Sequence, residues 1–116
     1  MNVNDYIRTK NDGIKKILDI GSFCGIKQYK IDEEGNYVID NSIIKSSPNI
    51  IDLLEPMDLM YIDIDNGYEG GIIVPRITET QNELNEYIEK FKDGTLILKG
   101  VITKEQLDNS TYWIGE

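Results

Sequence analysis

The sequence contains no histidine and no alanine, a single cysteine and only two arginines. The absence of histidine removes the commonest general base, the usual activator of a nucleophile and the commonest metal ligand. We therefore predict no catalytic residue, no metal site and no cofactor, and a protein that acts by binding. The absence of alanine removes the strongest helix former, whereas isoleucine occurs 20 times and favours strands.

The lone cysteine, Cys24, cannot form an internal disulfide, which is typical of a reducing compartment. We expect it to be a half-buried structural thiol. No apolar run approaches the roughly 20 residues of a membrane span, and residues 1–10 lack the apolar core of a signal peptide. These features predict a cytoplasmic protein that does not contact a membrane.

The net charge of −9 is concentrated in the second half of the chain. Residues 1–50 carry seven acids and seven bases, whereas residues 51–116 carry fourteen acids and five bases. Binding to phosphates needs clustered lysine and arginine, so direct nucleic-acid binding is not expected. An acidic surface suits a basic partner or a mimic of nucleic acid, although it is also typical of a surface that only keeps a protein soluble.

Turn signals divide the chain into predicted hairpins. They are Asn11-Asp12-Gly13, Glu33-Glu34-Gly35-Asn36 and Asn66-Gly67. Gly21, Cys24 and Gly25 predict a loop around Phe23. The alternation in residues 59–64 predicts a half-buried strand with one face formed by Met60, Ile62 and Ile64 and the other by Leu59, Tyr61 and Asp63. The run 72–74 is apolar on both faces and is typical of a central strand.

One amphipathic helix is predicted at about 79–93. Thr80 and Glu83 match a capping box, and Gly94 follows at the position where helices end. Residues 103–106 form a second capping box that opens a short C-terminal helical turn, and residues 112–114 are expected to form a terminal strand. The predicted fold class is α+β, mostly antiparallel β, in a single domain spanning 1–116 with an alternative division into sub-halves 1–50 and 51–116.

Three segments resemble a group of small uncharacterised prophage proteins of AT-rich Gram-positive bacteria. They are residues 5–17, from Asp5-Tyr6-Ile7-Arg8 to Lys16-Ile17, residues 47–55, Ser47-Pro48-Asn49-Ile50-Ile51-Asp52-Leu53-Leu54-Glu55, and residues 101–107, Val101-Ile102-Thr103-Lys104-Glu105-Gln106-Leu107. The resemblance implies a mobile-element accessory protein built from small SH3-like β elements, without enzymatic activity. Phage proteins of this class often act against host defence, and anti-CRISPR proteins do so by occupying a nuclease.

The resulting hypothesis is a phage-encoded inhibitor of a host defence system, an anti-CRISPR protein that meets a basic Cas effector through an acidic surface. The candidate protein-binding surface comprises Glu79, Glu83, Glu86, Glu89, Asp63, Asp65, Glu69, Tyr68 and Trp113. One alternative is a small-ligand or nucleotide sponge, for which Arg8, Arg76 and Lys99 are the available cations. Another is a phage accessory protein that assembles with itself, for example as a homodimer.

Overall fold

The computed structural model describes residues 1–65 and 71–108. The chain separates into two compact units, the first comprising Met1–Leu53 together with Asp108 and the second comprising Leu54–Leu107. This boundary lies three residues from the division at residue 50 that the charge distribution suggested. The prediction of one domain spanning the whole chain stays a prediction.

Both units contain short antiparallel strands, six in the first unit and three in the second among the described residues. Those of the first unit are β1 (Tyr6–Thr9), β2 (Ile14–Lys16), β3 (Asp19–Phe23), β4 (Ile26–Lys30), β5 (Tyr37–Val38) and β6 (Ile43–Ser47). Those of the second unit are β7 (Leu59–Asp63), β8 (Ile73–Ile77) and β9 (Ile97–Ile102). The helices are α1 (Gln81–Asp93) and α2 (Lys104–Asp108), with single-turn 3-10 helices at Asp40–Ser42 and Ile50–Leu53.

The first unit contains two three-stranded sheets, with strand orders β2-β1-β6 and β3-β4-β5. The buried cluster of this unit consists of Ile7, Ile17, Tyr29, Ile31 and Val38. Burying each of these large apolar side chains contributes about 1.5–3 kcal/mol. Arg8 is also buried, and its Nη1 donates a hydrogen bond to the backbone carbonyl of Leu53 at 3.0 Å. This bond attaches the second 3-10 helix to β1.

The second unit contains one sheet of order β8-β7-β9, in which all neighbours are antiparallel. Met60 and Ile62 on the central strand β7 are fully buried, whereas Leu59 and Tyr61 on its other face are half-buried. This alternation is the one predicted for residues 59–62, because successive side chains of a strand point to opposite faces. It fails at the end of the strand, where Asp63 is buried and Ile64, the residue after β7, is 44% exposed. Leu54 and Leu84 are the other buried apolar residues described in this unit.

Helix α1 begins and ends where its sequence predicts. The Thr80 hydroxyl accepts a hydrogen bond from the Glu83 amide at 3.2 Å, and the Glu83 carboxylate accepts one from the Thr80 amide at 3.2 Å, which completes the capping box. Gly94 follows with a φ of 83°, a left-handed conformation that glycine adopts without steric cost. Thr103 and Gln106 form the equivalent reciprocal pair at the start of α2.

The predicted α+β class is therefore confirmed, with antiparallel strands dominating, one long helix and a short C-terminal helix. The hairpins β1–β2 and β4–β5 are confirmed, and β7 pairs with β8 as expected. The turn at Asn66-Gly67 and the strand at 112–114 lie outside the described residues. The SH3-like character of the elements stays a prediction.

Two local predictions are wrong. Gly21 and Phe23 belong to strand β3, and the turn after it needs only Cys24 and Gly25, both of which have positive φ. A two-residue turn of this kind matches the twist of a hairpin, so no longer loop is required. The apolar run 72–74 leads into an edge strand instead of a central one, since β8 pairs only with β7 in the described part of the chain.

Candidate protein-binding surface

Helix α1 carries three members of the acidic face, which we define as Glu79, Glu83, Glu86 and Glu89, and Glu79 lies just before the N-cap residue Thr80. All four side chains are exposed. Successive members at a spacing of three residues are rotated by about 60° on a helix with 3.6 residues per turn, so Glu83, Glu86 and Glu89 together cover about a third of its circumference. The apolar residues Leu84, Ile88 and Phe91 occupy the other side, and Leu84 is fully buried.

The acidic face is not neutralised within the described part of the molecule. None of its four carboxylates forms an ion pair with a lysine or arginine in residues 1–65 or 71–108. Among the described residues, the hydrogen bonds to these side chains go to Glu83, whose Oε1 accepts from the amides of Glu79 at 2.8 Å and Thr80 at 3.2 Å. The face therefore presents negative charge that a basic partner could neutralise.

The nearest cations on the same helix belong to its last turn. Lys90 and Lys92 lie there, where a positive charge complements the helix dipole. The pKa of Asp93 is lowered mainly by hydrogen bonds from Thr95, and to a smaller extent by the charge of Lys90. The charge of Lys90 therefore acts on the carboxylate of Asp93 at the C-terminal end of α1. Lys90 also lies four residues, about one turn, after Glu86.

Asp63 does not belong to the exposed surface, contrary to the prediction. It is only 3% exposed, and its Oδ1 accepts a hydrogen bond from the Asp65 amide at 2.8 Å. Asp65 is half-buried, and its Oδ2 accepts from the Ile72 amide at 3.1 Å. Both carboxylates therefore accept from backbone amides close to the ends of β7 and β8. Tyr68, Glu69 and Trp113, the other predicted members of the surface, lie outside the described residues.

These aspartates do not assemble a metal site in the described part of the chain. Within residues 1–65 and 71–108, no group of three or more cysteine, aspartate or glutamate side chains is arranged to hold a metal ion. Cys24, expected to be half-buried, is exposed at the tip of the β3–β4 hairpin. The reason is its place in the two-residue turn, where the side chain has no strand or helix to pack against.

The three cations named for a phosphate-containing ligand differ in burial and in their hydrogen bonds. Arg8 is buried in the first unit and bonded to Leu53, whereas Arg76 in the second unit donates from Nη1 to the backbone carbonyl of Pro75 at 2.9 Å. Lys99 is exposed on β9.

A cavity of about 260 Å³ lies at the beginning of the acidic face. It is lined by Ile77, Thr78, Glu83, Glu86 and Tyr87. The end of β8 supplies the first two residues and the first two turns of α1 supply the others. Thr78 is 3% exposed, and its Oγ1 is buried without a hydrogen-bond partner in the described part of the chain. Leaving a buried hydroxyl unpaired costs about 1–3 kcal/mol.

The sequence predicts two of the residues that line this cavity, Glu83 and Glu86, as members of a binding surface. It does not predict Ile77, Thr78 or Tyr87. Tyr87 lies at helical spacing from the apolar residues Leu84 and Phe91, and it is half-buried. No sequence signal marks Thr78, because its burial and its unpaired hydroxyl arise only when β8 and α1 converge.

The first unit has a wider cavity of about 410 Å³, lined by Gly25, Ile26, Lys27, Ile39, Asp40 and Asn41. It lies beside the tip of the β3–β4 hairpin, where Phe23 and Ile26 face each other as cross-strand neighbours and are 66% and 52% exposed. The lining combines one lysine, one aspartate and apolar side chains, and no residue predicted as functional contributes to it.

Searches against protein-family models, curated proteins and solved structures find no match to this chain. Among the residues that the structure describes, no helix is long and apolar enough to cross a membrane.

Proposed function

We propose that this protein acts by binding a basic protein through the acidic face of α1, and that its partner is a component of a host defence system. The observation that carries the proposal is the acidic face itself, whose four exposed carboxylates have no ion-pair partner in the described residues. Complementary charge steers association and selects basic partners over acidic ones.

The helix is suited to present this charge because both of its ends are capped. The capping box at Thr80 and the left-handed Gly94 hold the helix termini, so the carboxylates project from a rigid element. A rigid surface loses less conformational entropy on binding than a mobile loop does.

The kind of partner is suggested by the resemblance to prophage proteins. A nuclease of a CRISPR system has a basic surface for nucleic acid, and an acidic helix that occupies this surface would prevent nucleic acid from binding. The inhibitor itself then needs no catalytic residue and no cofactor.

The proposal is tested by capturing partners from lysates of bacteria that carry defence systems, at low and moderate salt, with mass spectrometry of the eluate. Glu86→Gln combined with Glu89→Gln removes two charges from the acidic face. The matched control, Glu33→Gln combined with Glu34→Gln, removes two exposed charges from the first unit. Glu83 is left unchanged because its carboxylate also caps the helix.

We expect a basic defence protein in the eluate of the wild type and the control. The Glu86 and Glu89 variant should bind it roughly tenfold more weakly, which corresponds to ~1.4 kcal/mol, and the loss should shrink as salt increases. Equal binding of both variants would show that the acidic face is not the binding surface. An eluate that contains no basic protein at either salt concentration would contradict the proposed function.

A further inference from the structure

The cavity beside Thr78 combines three kinds of chemistry in one place. Glu83 and Glu86 supply negative charge, the ring of Tyr87 supplies an aromatic face, and Ile77 supplies an aliphatic wall. Thr78, the most buried of the lining residues, adds a hydroxyl that has no partner in the described part of the chain.

The hydroxyl of Thr78 is a buried polar group without a hydrogen-bond partner in the described part of the chain. The backbone carbonyl of Thr78 already accepts a hydrogen bond from the Met57 amide at 2.8 Å. Its Oγ1 has no hydrogen-bond partner among the described residues, although buried polar atoms are nearly always paired. A ligand that brings an N–H donor into the cavity would complete this bonding.

The two carboxylates differ in how firmly they are held. Glu83 Oε1 is fixed by the amides of Glu79 and Thr80, so that carboxylate is already positioned, and its other oxygen makes no described contact. Glu86 makes no described hydrogen bond or ion pair and can adjust to a ligand. One fixed and one adjustable carboxylate suit a ligand with several donors.

The negative charge of the cavity favours a cationic ligand. The N-terminus of α1 contributes about half a positive elementary charge, which two full negative charges outweigh. A metal ion is a poor fit, because the described residues contain no group of three or more ligating side chains and this cavity is lined partly by Ile77 and Tyr87. An organic cation with a flat, weakly hydrated surface fits both the acidic and the apolar walls.

We propose that this cavity receives the guanidinium group of an arginine side chain from the partner protein. A guanidinium carries five N–H donors in a planar fork, can pair with a carboxylate through two bonds and stacks on aromatic rings. Glu86 and the free oxygen of Glu83 accept from it, Tyr87 contacts its plane, and Thr78 Oγ1 accepts a further N–H. The ammonium of lysine offers the charge without the flat surface. This inference rests on the proposed function, since it names the group through which the partner is anchored.

The test uses N-acetyl-arginine methylamide as a probe, titrated into the purified protein and followed by the backbone amide signals in NMR. The lysine and norleucine counterparts of the probe serve as the cationic and the uncharged controls. Thr78→Val removes the hydroxyl and keeps the shape, and it leaves no unpaired polar atom behind, so we expect it to fold. Glu86→Gln removes one charge, and Glu33→Gln removes an exposed charge elsewhere.

We expect the arginine probe to shift the amides of residues 78, 83, 86 and 87, the lysine probe to bind several-fold more weakly, and the norleucine probe to cause no shift. Thr78→Val and Glu86→Gln should each weaken the arginine probe several-fold, while Glu33→Gln should not. Equal binding of arginine and lysine, with no effect of Thr78→Val, would overturn the inference.

Failure of this inference can be separated from failure of the proposed function. If the arginine probe does not bind while a basic partner is captured and is lost in the Glu86 and Glu89 variant, the cavity is not the anchor but the acidic face is the binding surface. If the arginine probe binds at the cavity and no basic protein is captured, the cavity recognises arginine but the proposed function is wrong.

Discussion

The buried carboxylate of Asp58 accepts a hydrogen bond from the backbone amide of Lys104, 46 residues further along the chain, at 3.1 Å. Its second oxygen accepts from the Glu55 amide at 2.8 Å. Lys104 is the first residue of α2, whose amides need acceptors from outside the helix. Asp58 therefore connects the turn before β7 to the helix that follows β9.

Replacing Asp58 should destabilise the protein substantially. Asp58→Asn keeps the size of the side chain but turns one acceptor into a donor, which then faces a backbone N–H. Because hydrogen bonds to charged groups contribute about 1.5–3 kcal/mol, we expect the free energy of unfolding to fall by about 2–3 kcal/mol in urea denaturation. Glu33→Gln, which removes an exposed carboxylate, should change it by less than about 0.5 kcal/mol. A loss as small as that of the control would show that Asp58 is not structurally important.

Two isoleucines in neighbouring strands of the second unit should respond very differently to truncation. Ile62 on β7 is fully buried, whereas Ile73 on β8 is 45% exposed. Ile62→Ala should cost about 2–5 kcal/mol because it leaves a cavity in the core. Ile73→Ala should cost under about 1 kcal/mol. Urea denaturation of both variants measures the difference. Similar losses in the free energy of unfolding would contradict the deeper burial of Ile62 relative to Ile73.

The turn between β4 and β5 should show a measurable pH dependence. The carboxylate of Asp32 accepts hydrogen bonds from the Asn36 side chain at 2.7 Å and from the amides of Asn36 and Glu34 at 3.0 Å each. These bonds, first of all that of the Asn36 side chain, lower the pKa of Asp32 below its ordinary value. Because the pKa is lower in the folded state, the stabilisation is present above the unfolded pKa and is lost as the pH falls through the folded pKa.

An NMR titration of the Asp32 carboxyl carbon tests this relationship. In Asn36→Ala the pKa of Asp32 should rise toward its ordinary value, since the first cause of the shift has been removed. In Asn49→Ala, which lies in another turn, it should stay unchanged. If Asn36→Ala left the pKa of Asp32 where it is in the wild type, the hydrogen bond from the Asn36 side chain would not be its cause.

The parts of the fold that the sequence predicts are those determined by nearby residues. The hairpin turn at Gly13 and the C-terminal end of α1 at Gly94 need positive φ, and both glycines have it. The capping box of α1 depends on Thr80 and Glu83, which are three residues apart. These short-range interactions can be predicted from the sequence without knowing which strands pair.

The parts that were missed depend on distant pairing. Strand β6 was not predicted, because residues 43–47 show no alternation, and it forms only by pairing with β1, where Ser47 lies opposite Tyr6. The burial of Asp63 and the unpaired hydroxyl of Thr78 likewise arise from the assembled sheet and helix. Of the candidate surface, the acidic face was predictable from helical spacing, whereas the cavity beside it was not.

Strand β8 shows how the protein limits pairing at the edge of the sheet. The Ile64 amide donates to the Ile72 carbonyl at 3.1 Å, and hydrogen-bonded pairs alternate along an antiparallel ladder. Pro75, opposite Tyr61, therefore lies in a pair without ladder bonds, and its backbone nitrogen and carbonyl point away from β7. Proline offers no N–H at this position, and its carbonyl accepts from Arg76 Nη1 at 2.9 Å.

Pro75→Val should consequently promote self-association, because it restores an N–H on an edge strand whose neighbours Ile73 and Ile77 are 45% and 50% exposed. We expect the weight-average mass in light scattering to rise with protein concentration more steeply than for the wild type. Pro48→Val, the same change at an exposed position outside the strands, should behave like the wild type. Adding Ile73→Lys to Pro75→Val should reverse the effect, since a charged side chain on the edge opposes strand addition. If Pro75→Val matched the wild type at every concentration, the edge of β8 would be closed by something other than this proline.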